Sequence, residues 1–168
     1  LDHLGIREVI LCAHDFGGPT SLTFIRMATT IQVKALVITN TNIFPDTPVP
    51  LPLKMAHIPV LGYAFYRLAF GTRLGLWGLY MAAVKKKENL PWERYKRHLT
   101  PNGMRSTSDI FYVAIRDMEG SYRATEDTLN NLQIPLLVLW AGSEPLFDVS
   151  DGEKIASRVA GSQLKIYE

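Results

Sequence analysis

Residues 12–18 read CAHDFGG and follow a short apolar, β-rich run over residues 8–13. The arrangement predicts a strand that turns sharply into a helix, with Asp15 at the turn. An acid there is either a helix cap or a nucleophile. A cap needs only a side-chain oxygen. A nucleophile elbow needs more, because its strained central residue must stand clear of the sheet while strand and helix nearly touch. That geometry requires small residues two before and two after the nucleophile. Ala13 and Gly17 meet the requirement, and Gly18 is small as well. The small–x–Asp–x–small–small spacing therefore favours a carboxylate nucleophile, in a place where serine is commoner.

The elements that must position Asp15 are legible on both sides of it. Residues 8–13 and 33–39 read as buried parallel strands, because apolar side chains run through them without strict alternation. Between them, residues 21–29 repeat at helical spacing, with Leu22, Ile25 and Met27 directed to a core and Arg26 outward. Strand, helix and strand in about 30 residues predict a right-handed βαβ unit. Pro45, Pro48, Pro50 and Pro52 then rule out a central strand and mark an exit linker. Helical patterns follow over 59–70, 74–86, from Pro91, and over 109–132 with Ser108 or Asp109 as cap. The strand pattern returns at 134–140, followed by a loop, a helix over 151–160 and a strand over 164–167. Ser150 and Glu153 stand in capping-box spacing, and Gly161 fits the helix stop. The expected class is α/β, with a parallel-sheet core over 1–43 and 134–168 and a helical insertion over 44–133.

Composition excludes several alternatives. With 47% apolar and 20% charged residues in 168, the chain reads as globular rather than disordered or fibrous. The net charge is +2, and the one dense basic run, Lys85–Lys86–Lys87, is followed at once by Glu88. That run reads as a solvated face, so no nucleic-acid partner is expected. The single cysteine, Cys12, permits no intrachain disulfide and reads as a small buried residue, consistent with a cytoplasmic, reducing location. No apolar stretch reaches the ~18 residues of a membrane helix. The richest, 55–84, is broken by His57, Pro59, Arg67 and Arg73. No signal peptide is visible. The chain starts without Met and stops on a strand-like run, which reads as a piece of a longer protein. No metal cluster, phosphate loop or dinucleotide fingerprint is present, so no cofactor is expected.

On the AHDFGG turn, the placement of the helical insertion and the run LVLWAGSEPLF, the chain resembles the α/β-hydrolase superfamily. Within it the resemblance is to the epoxide hydrolase and haloalkane dehalogenase branch, which uses an aspartate nucleophile. The resemblance implies that the chain is the C-terminal part of an α/β-hydrolase fold, running from just before the fifth strand into the eighth. It implies that 44–133 is the cap domain. Asp15 would displace a leaving group at a saturated carbon to form an alkyl-enzyme ester, which an activated water then cleaves at the Asp15 carbonyl. The Phe16 backbone N–H is one oxyanion donor by position, and the family's second donor lies upstream of Leu1.

The family's acid falls at Glu144, which follows the strand end and precedes Pro145, with Asp148 as competitor. Relatives that carry the acid after the preceding strand have no counterpart here, since Asn40–Thr41–Asn42 cannot be anionic. The base is a gap: His3, His14, His57 and His98 all precede Glu144, and the family's histidine falls beyond Glu168. A departing halide needs N–H donors, but Phe16 has none on its side chain, leaving Trp77 or Trp92. An opening epoxide needs a neutral proton donor, which tyrosine supplies. The AFYRLAF segment points to Tyr66. The second family tyrosine aligns with Ile115, with Tyr112 one turn earlier. The plainer reading of these tyrosines is amphipathic packing. Epoxide hydrolysis is the first expectation and dehalogenation the second, on a small apolar-to-amphipathic organic substrate with water. A non-catalytic binding protein or an inactive fragment is the alternative from another class.

Overall fold

The structure is a computed structural model that describes residues 1–84, 88, 93, 96–97, 99–143 and 146–168. The chain divides into two compact units, Leu1–Thr47 with Glu119–Glu168, and Pro48–Met118.

The first unit holds a four-stranded sheet in the order β1-β2-β3-β4, all pairs parallel. Its strands are β1 (Glu8–His14), β2 (Gln32–Thr39), β3 (Leu136–Ala141) and β4 (Gln163–Tyr167). All four lie where the apolar runs place them. The central strands carry the core, since Leu36, Ile38 and Val138 are fully buried and Trp140 nearly so. Gly152 is the packing partner of Trp140, because a Cβ there would lie 2.7 Å from the indole ring. β1 is an edge strand, and its alternate residues, Ile10 and Cys12 among them, are exposed. The expectation of a buried Cys12 is therefore corrected: Cys12 lies with Ile10 on the face of β1 that the described residues leave exposed.

Helix α1 (Gly17–Met27) connects β1 to β2 and buries Gly18, Pro19 and Leu22. Met27, expected toward the core, is the last residue of the helix and is exposed. The long helix expected over 109–132 is two helices. α4 (Pro101–Arg116) ends at Asp117, and α5 (Met118–Asn130) starts directly after it. The start of α4 is set by Thr100, whose hydroxyl accepts from the Gly103 N–H at 3.1 Å with Pro101 in the first turn. That Thr-Pro signature, nine residues upstream of Asp109, outweighs the Ser108 and Asp109 caps; Ser108 is fully buried inside the helix. Helix α6 (Val149–Ser157) is likewise capped by Asp148 and not by Ser150. Gly161, with φ 74°, follows its end.

α5 belongs with the sheet, although the sequence places it in the insertion. Leu129 and Leu132 join Ile43, Phe44, Leu36 and Ile38 in one buried cluster. The buried Thr125 hydroxyl reaches the Ile43 carbonyl at 3.1 Å and the Tyr122 carbonyl, one turn back, at 3.0 Å. This contact ties α5 to the segment leaving β2, 82 residues away in sequence. A second tie is Lys154, which pairs with Asp46 at 2.8 Å and lies 4.0 Å from the Phe44 ring centroid. Lys154 holds the Asp46 carboxyl below its ordinary pKa through that hydrogen bond.

The second unit contains a 3-10 segment (Leu51–His57), α2 (Leu61–Ala69), α3 (Arg73–Ala83) and α4. Its core is aromatic. Tyr66 is buried and meets Tyr112 edge-to-face at 5.7 Å, Tyr63 meets Tyr112 at 5.4 Å, and Phe70 stacks on Phe111 at 4.9 Å. Gly75 lets α3 approach the end of α2, since a Cβ there would lie 1.7 Å from the Ala69 carbonyl. Lys85–Lys87, and the helix expected from Pro91, lie wholly or largely outside the described residues. Among the described residues no helix is long and apolar enough to cross a membrane.

The α5 tie yields the first prediction. Thr125→Val keeps shape but leaves the buried Ile43 carbonyl without its donor. It should cost about 1–3 kcal/mol, read as a lower urea midpoint at unchanged slope. A melt indistinguishable from the wild type would mean that the hydroxyl does not hold α5.

Candidate active site

Asp15 closes β1 with φ 53°, one of only three non-glycine residues with positive φ among those described. For a residue with a Cβ this left-handed backbone costs about 1–2 kcal/mol. It persists only where surrounding contacts fix it. Here both peptide groups of Asp15 are tied to the end of β2. Its N–H donates to the Asn40 carbonyl at 3.0 Å, and its carbonyl accepts from the buried Thr41 hydroxyl and from the Gly18 N–H at 3.0 Å. The N-cap of α1 is Phe16, in αR conformation, and its side chain makes no capping bond. The helix thus begins one residue after Asp15, and Asp15 itself stands exposed at the carboxyl end of the sheet. Ligands bind at this end of parallel α/β sheets.

The space around the elbow refines the sequence argument. A Cβ on Gly17 would lie 3.6 Å from the Ala13 Cβ, which is ordinary contact. A Cβ on Gly18 would lie 2.3 Å from Thr41 Oγ1 and 2.8 Å from its methyl. The close approach that requires glycine is therefore at Gly18, against the threonine that holds Asp15. His14 points away from Asp15 along the strand, its Nδ1 3.0 Å from Thr39 Oγ1. It is a hydrogen-bonding neighbour, as expected from its place beside the turn.

Two buried polar residues follow β2. Asn40 has φ 23°, its Oδ1 accepts from the Ala141 N–H at 3.2 Å, and its buried Nδ2 has no partner among the described residues. Asn40 thereby links the ends of β1 and β3 through one residue. Within the run Asn40–Thr41–Asn42, notable in sequence only for lacking an anion, Asn40 and Thr41 build the mount of Asp15. The signal available was a pair of small polar residues directly after a buried strand.

Another group near Asp15 was not singled out from the sequence. Tyr122 on α5 is 5% exposed, and its phenol is pushed up to about 12 by burial, with the Asp15 charge adding to the rise. Tyr66 is also pushed to about 12 by burial, but its hydroxyl donates to the Leu53 carbonyl at 2.7 Å inside the second unit. Tyr112 lies in the same aromatic cluster, with the Arg116 guanidinium 5.9 Å from its ring centroid. Trp77 is half-buried on α3. Glu144, the expected acid, and Trp92 lie outside the described residues. Asp148, the competitor, accepts from the Ser150 N–H at 2.8 Å as the cap of α6; Ser150 holds its carboxyl below the ordinary range. Among the described residues no cluster of His, Cys, Asp or Glu could hold a metal ion. A cavity of about 570 Å³ in the first unit is lined by Ile31, Val33 and Ile134 and lies at the opposite ends of the strands from Asp15.

Gly18→Ala should therefore destabilise the protein by about 1–3 kcal/mol, as overpacking does. Gly17→Ala should be close to neutral, by the space available to it. In a double-mutant cycle, Thr41→Ala should recover the steric part of the Gly18→Ala loss. Equal effects of Gly17→Ala and Gly18→Ala would contradict this account of the turn.

A family model for the alpha/beta hydrolase fold matches residues 1–168. The chain is 34% identical over 109 residues to the cis-3-alkyl-4-alkyloxetan-2-one decarboxylase of Xanthomonas campestris pv. campestris, a match covering 60% of this chain and 36% of that one. Among solved structures it is similar to Est816, described as an N-acyl homoserine lactone degrading enzyme, with TM-score 0.62 and 17% identity over 99% of this chain and 61% of that one. A thermophilic esterase from Thermogutta terrifontis aligns at TM-score 0.61 with 18% identity, over 99% of this chain and 58% of its own. At these identities the structural likeness speaks for the fold alone. The chain covers 36% of the curated relative and 61% of the first structure. A parallel sheet, a left-handed acid at the strand-to-helix turn and a family match along all 168 residues lead to one conclusion: the chain belongs to the alpha/beta hydrolase fold family.

Proposed function

We propose that the protein is an enzyme whose Asp15 opens a strained oxygen ring by attack at saturated carbon, with hydrolysis of an epoxide to a diol as the first reading. The observation that carries it is the left-handed backbone of Asp15, tied on both sides to the end of β2. A helix cap needs no such mount; a nucleophile held clear of the sheet does. In the first half-reaction an Asp15 oxygen bonds to the ring carbon, and the C–O electron pair leaves with the ring oxygen, which takes up a proton. In the second, water attacks the ester carbonyl of Asp15 and expels the diol. In this reading the Phe16 N–H, at the amino end of α1, stabilises the oxyanion, and Glu144 orients the base that activates the water. Tyr112 and Trp77 are substrate contacts in this reading, and Tyr66, whose hydroxyl serves Leu53, packs against Tyr112.

The curated relative favours a second reading, in which the ring is a four-membered oxetan-2-one. Attack by Asp15 on the ring's saturated carbon would release a carboxylate. Loss of CO₂ would then expel Asp15 and leave an alkene, with no water consumed. Dehalogenation uses the same nucleophile and needs halide donors that Phe16 does not supply.

Full-length protein should be assayed with a terminal epoxide, a dialkyl oxetan-2-one and a bromoalkane. Asp15→Asn should lose at least about 10³-fold in kcat on any substrate used. A single turnover on the epoxide in heavy-oxygen water should place the label in Asp15, because water attacks the enzyme carbonyl. Alkene without diol would move the assignment to the lactone, and halide release alone would move it to dehalogenation. Activity that survives Asp15→Asn, without deamidation, would falsify the nucleophile itself.

A further inference from the structure

We propose that the second unit carries a binding site for an alkyl carboxylate, in the cavity lined by His57, Tyr112 and Arg116. The site lies wholly within that unit, so it does not depend on the chemistry of Asp15.

The cavity measures about 540 Å³, the size of a small-molecule pocket, and the rest of its lining is Ala56, Pro59 and Val60. One side is the end of α4, where Tyr112 and Arg116 stand four residues apart and so share a face. The other is the turn that joins the 3-10 segment to α2. Val60 there has φ 63° and ψ −57°, and the Leu61 N–H donates across it to the Pro59 carbonyl at 2.7 Å. That is a γ-turn of the rare, strained kind, on a β-branched residue that is 81% exposed. Its neighbours hold it. The Gly62 N–H reaches the Ile58 carbonyl at 2.8 Å, and a Cβ on Gly62 would collide with the Met55 carbonyl. The turn fixes Pro59 and Val60 as an apolar rim that burial in the fold does not explain.

The polar lining is made of donors, and the fold does not use them. Asp109 pairs with Arg67 at 3.7 Å and with Arg105 at 3.8 Å, and it accepts from the Tyr63 hydroxyl. Arg116 makes no ion pair with a described residue; its guanidinium rests 5.9 Å from the Tyr112 ring centroid. Neither the Tyr112 hydroxyl nor the His57 ring bonds to a described residue, and no acid is among the residues that line the cavity. Stacking on Tyr112 presets the planar guanidinium fork, which matches the two oxygens of a carboxylate. The Tyr112 O–H and a His57 ring N–H are further donors for the same group. The carboxyl end of α4 is itself negative, so an anion there needs a permanent cation, and Arg116 is one. A doubly charged phosphate would need a second, which the lining lacks. The rim of Pro59 and Val60 then covers the aliphatic tail.

Octanoate is the probe, titrated calorimetrically into full-length protein, where it should bind once per chain and saturate. Octanol, which has the chain without the charge, and acetate, which has the charge without the chain, should each bind at least about tenfold more weakly. Arg116→Gln should weaken octanoate by about tenfold to a hundredfold, with the thermal midpoint close to wild type. Arg116→Lys, which keeps the charge and loses the fork, should weaken it less. Octanoate that fails to saturate, or that binds Arg116→Gln as tightly as wild type, overturns the site. Octyl phosphate binding more tightly than octanoate overturns the carboxylate assignment. A second measurement needs no variant that removes the charge. In the nuclear magnetic resonance spectrum of the wild type, the Arg116 Nε–H signal should move with octanoate and stay still with octanol. A signal unmoved by octanoate overturns the proposal even where calorimetry records binding.

Discussion

The left-handed backbone of Asp15 is the constraint on which the rest of the unit depends. Such a conformation is unfavourable by about 1–2 kcal/mol for any residue with a Cβ, so it must be held. β2 does the holding with two consecutive residues: the Asn40 carbonyl takes the Asp15 N–H, and the Thr41 hydroxyl takes the Asp15 carbonyl. Gly18 follows from Thr41, since no side chain fits between them. Asn40 in turn must reach Ala141 on β3. The elbow is thus a property of three adjacent strands and not of the motif alone.

Burial makes that arrangement stiff. β2 and β3 supply the fully apolar interior, and α5 closes it with Leu129 and Leu132. Because α5 is bound through Thr125 to the chain leaving β2, residues distant in sequence share one rigid neighbourhood with Asp15. A polar helix acquires a buried face only through this tertiary contact. Tyr122 sits on that face, which explains its burial in a segment whose own composition would leave it in water.

What was legible in the sequence follows the same division. The four strands could be read because buried parallel strands are apolar throughout, and the turn could be read because small residues bracket Asp15. Hydrophobic periodicity failed where packing was non-local. It joined α4 to α5 across Asp117, since the apolar spacing continues through a break made only by backbone geometry. It placed α5 with the insertion, because nothing local announces that Thr125 will meet Ile43. It buried Cys12, because an edge strand and a central strand look alike until their neighbours are known. At the site, the turn that carries Asp15 was legible and its mount was not. Asn40 and Thr41 were read for the charge they lack, whereas their function is to hold a backbone.

If Asp15 is the nucleophile, as proposed, its carboxylate also separates this chain chemically from the esterases that share its fold. A serine alkoxide attacking an ester carbonyl exchanges one alkoxide for another, so the tetrahedral intermediate can collapse forward. A carboxylate attacking the same carbonyl would form an anhydride and would have to expel an alkoxide far more basic than itself. The intermediate would return to reactants. At saturated carbon the balance reverses, because displacement yields an ordinary ester whose own carbonyl lies over the backbone donors at the amino end of α1. The same oxyanion site then serves the enzyme's ester and not the substrate's. Similarity of fold at 17–18% identity is compatible with either chemistry. In the proposed reading the identity of residue 15 separates them, through the basicity of the group that must leave.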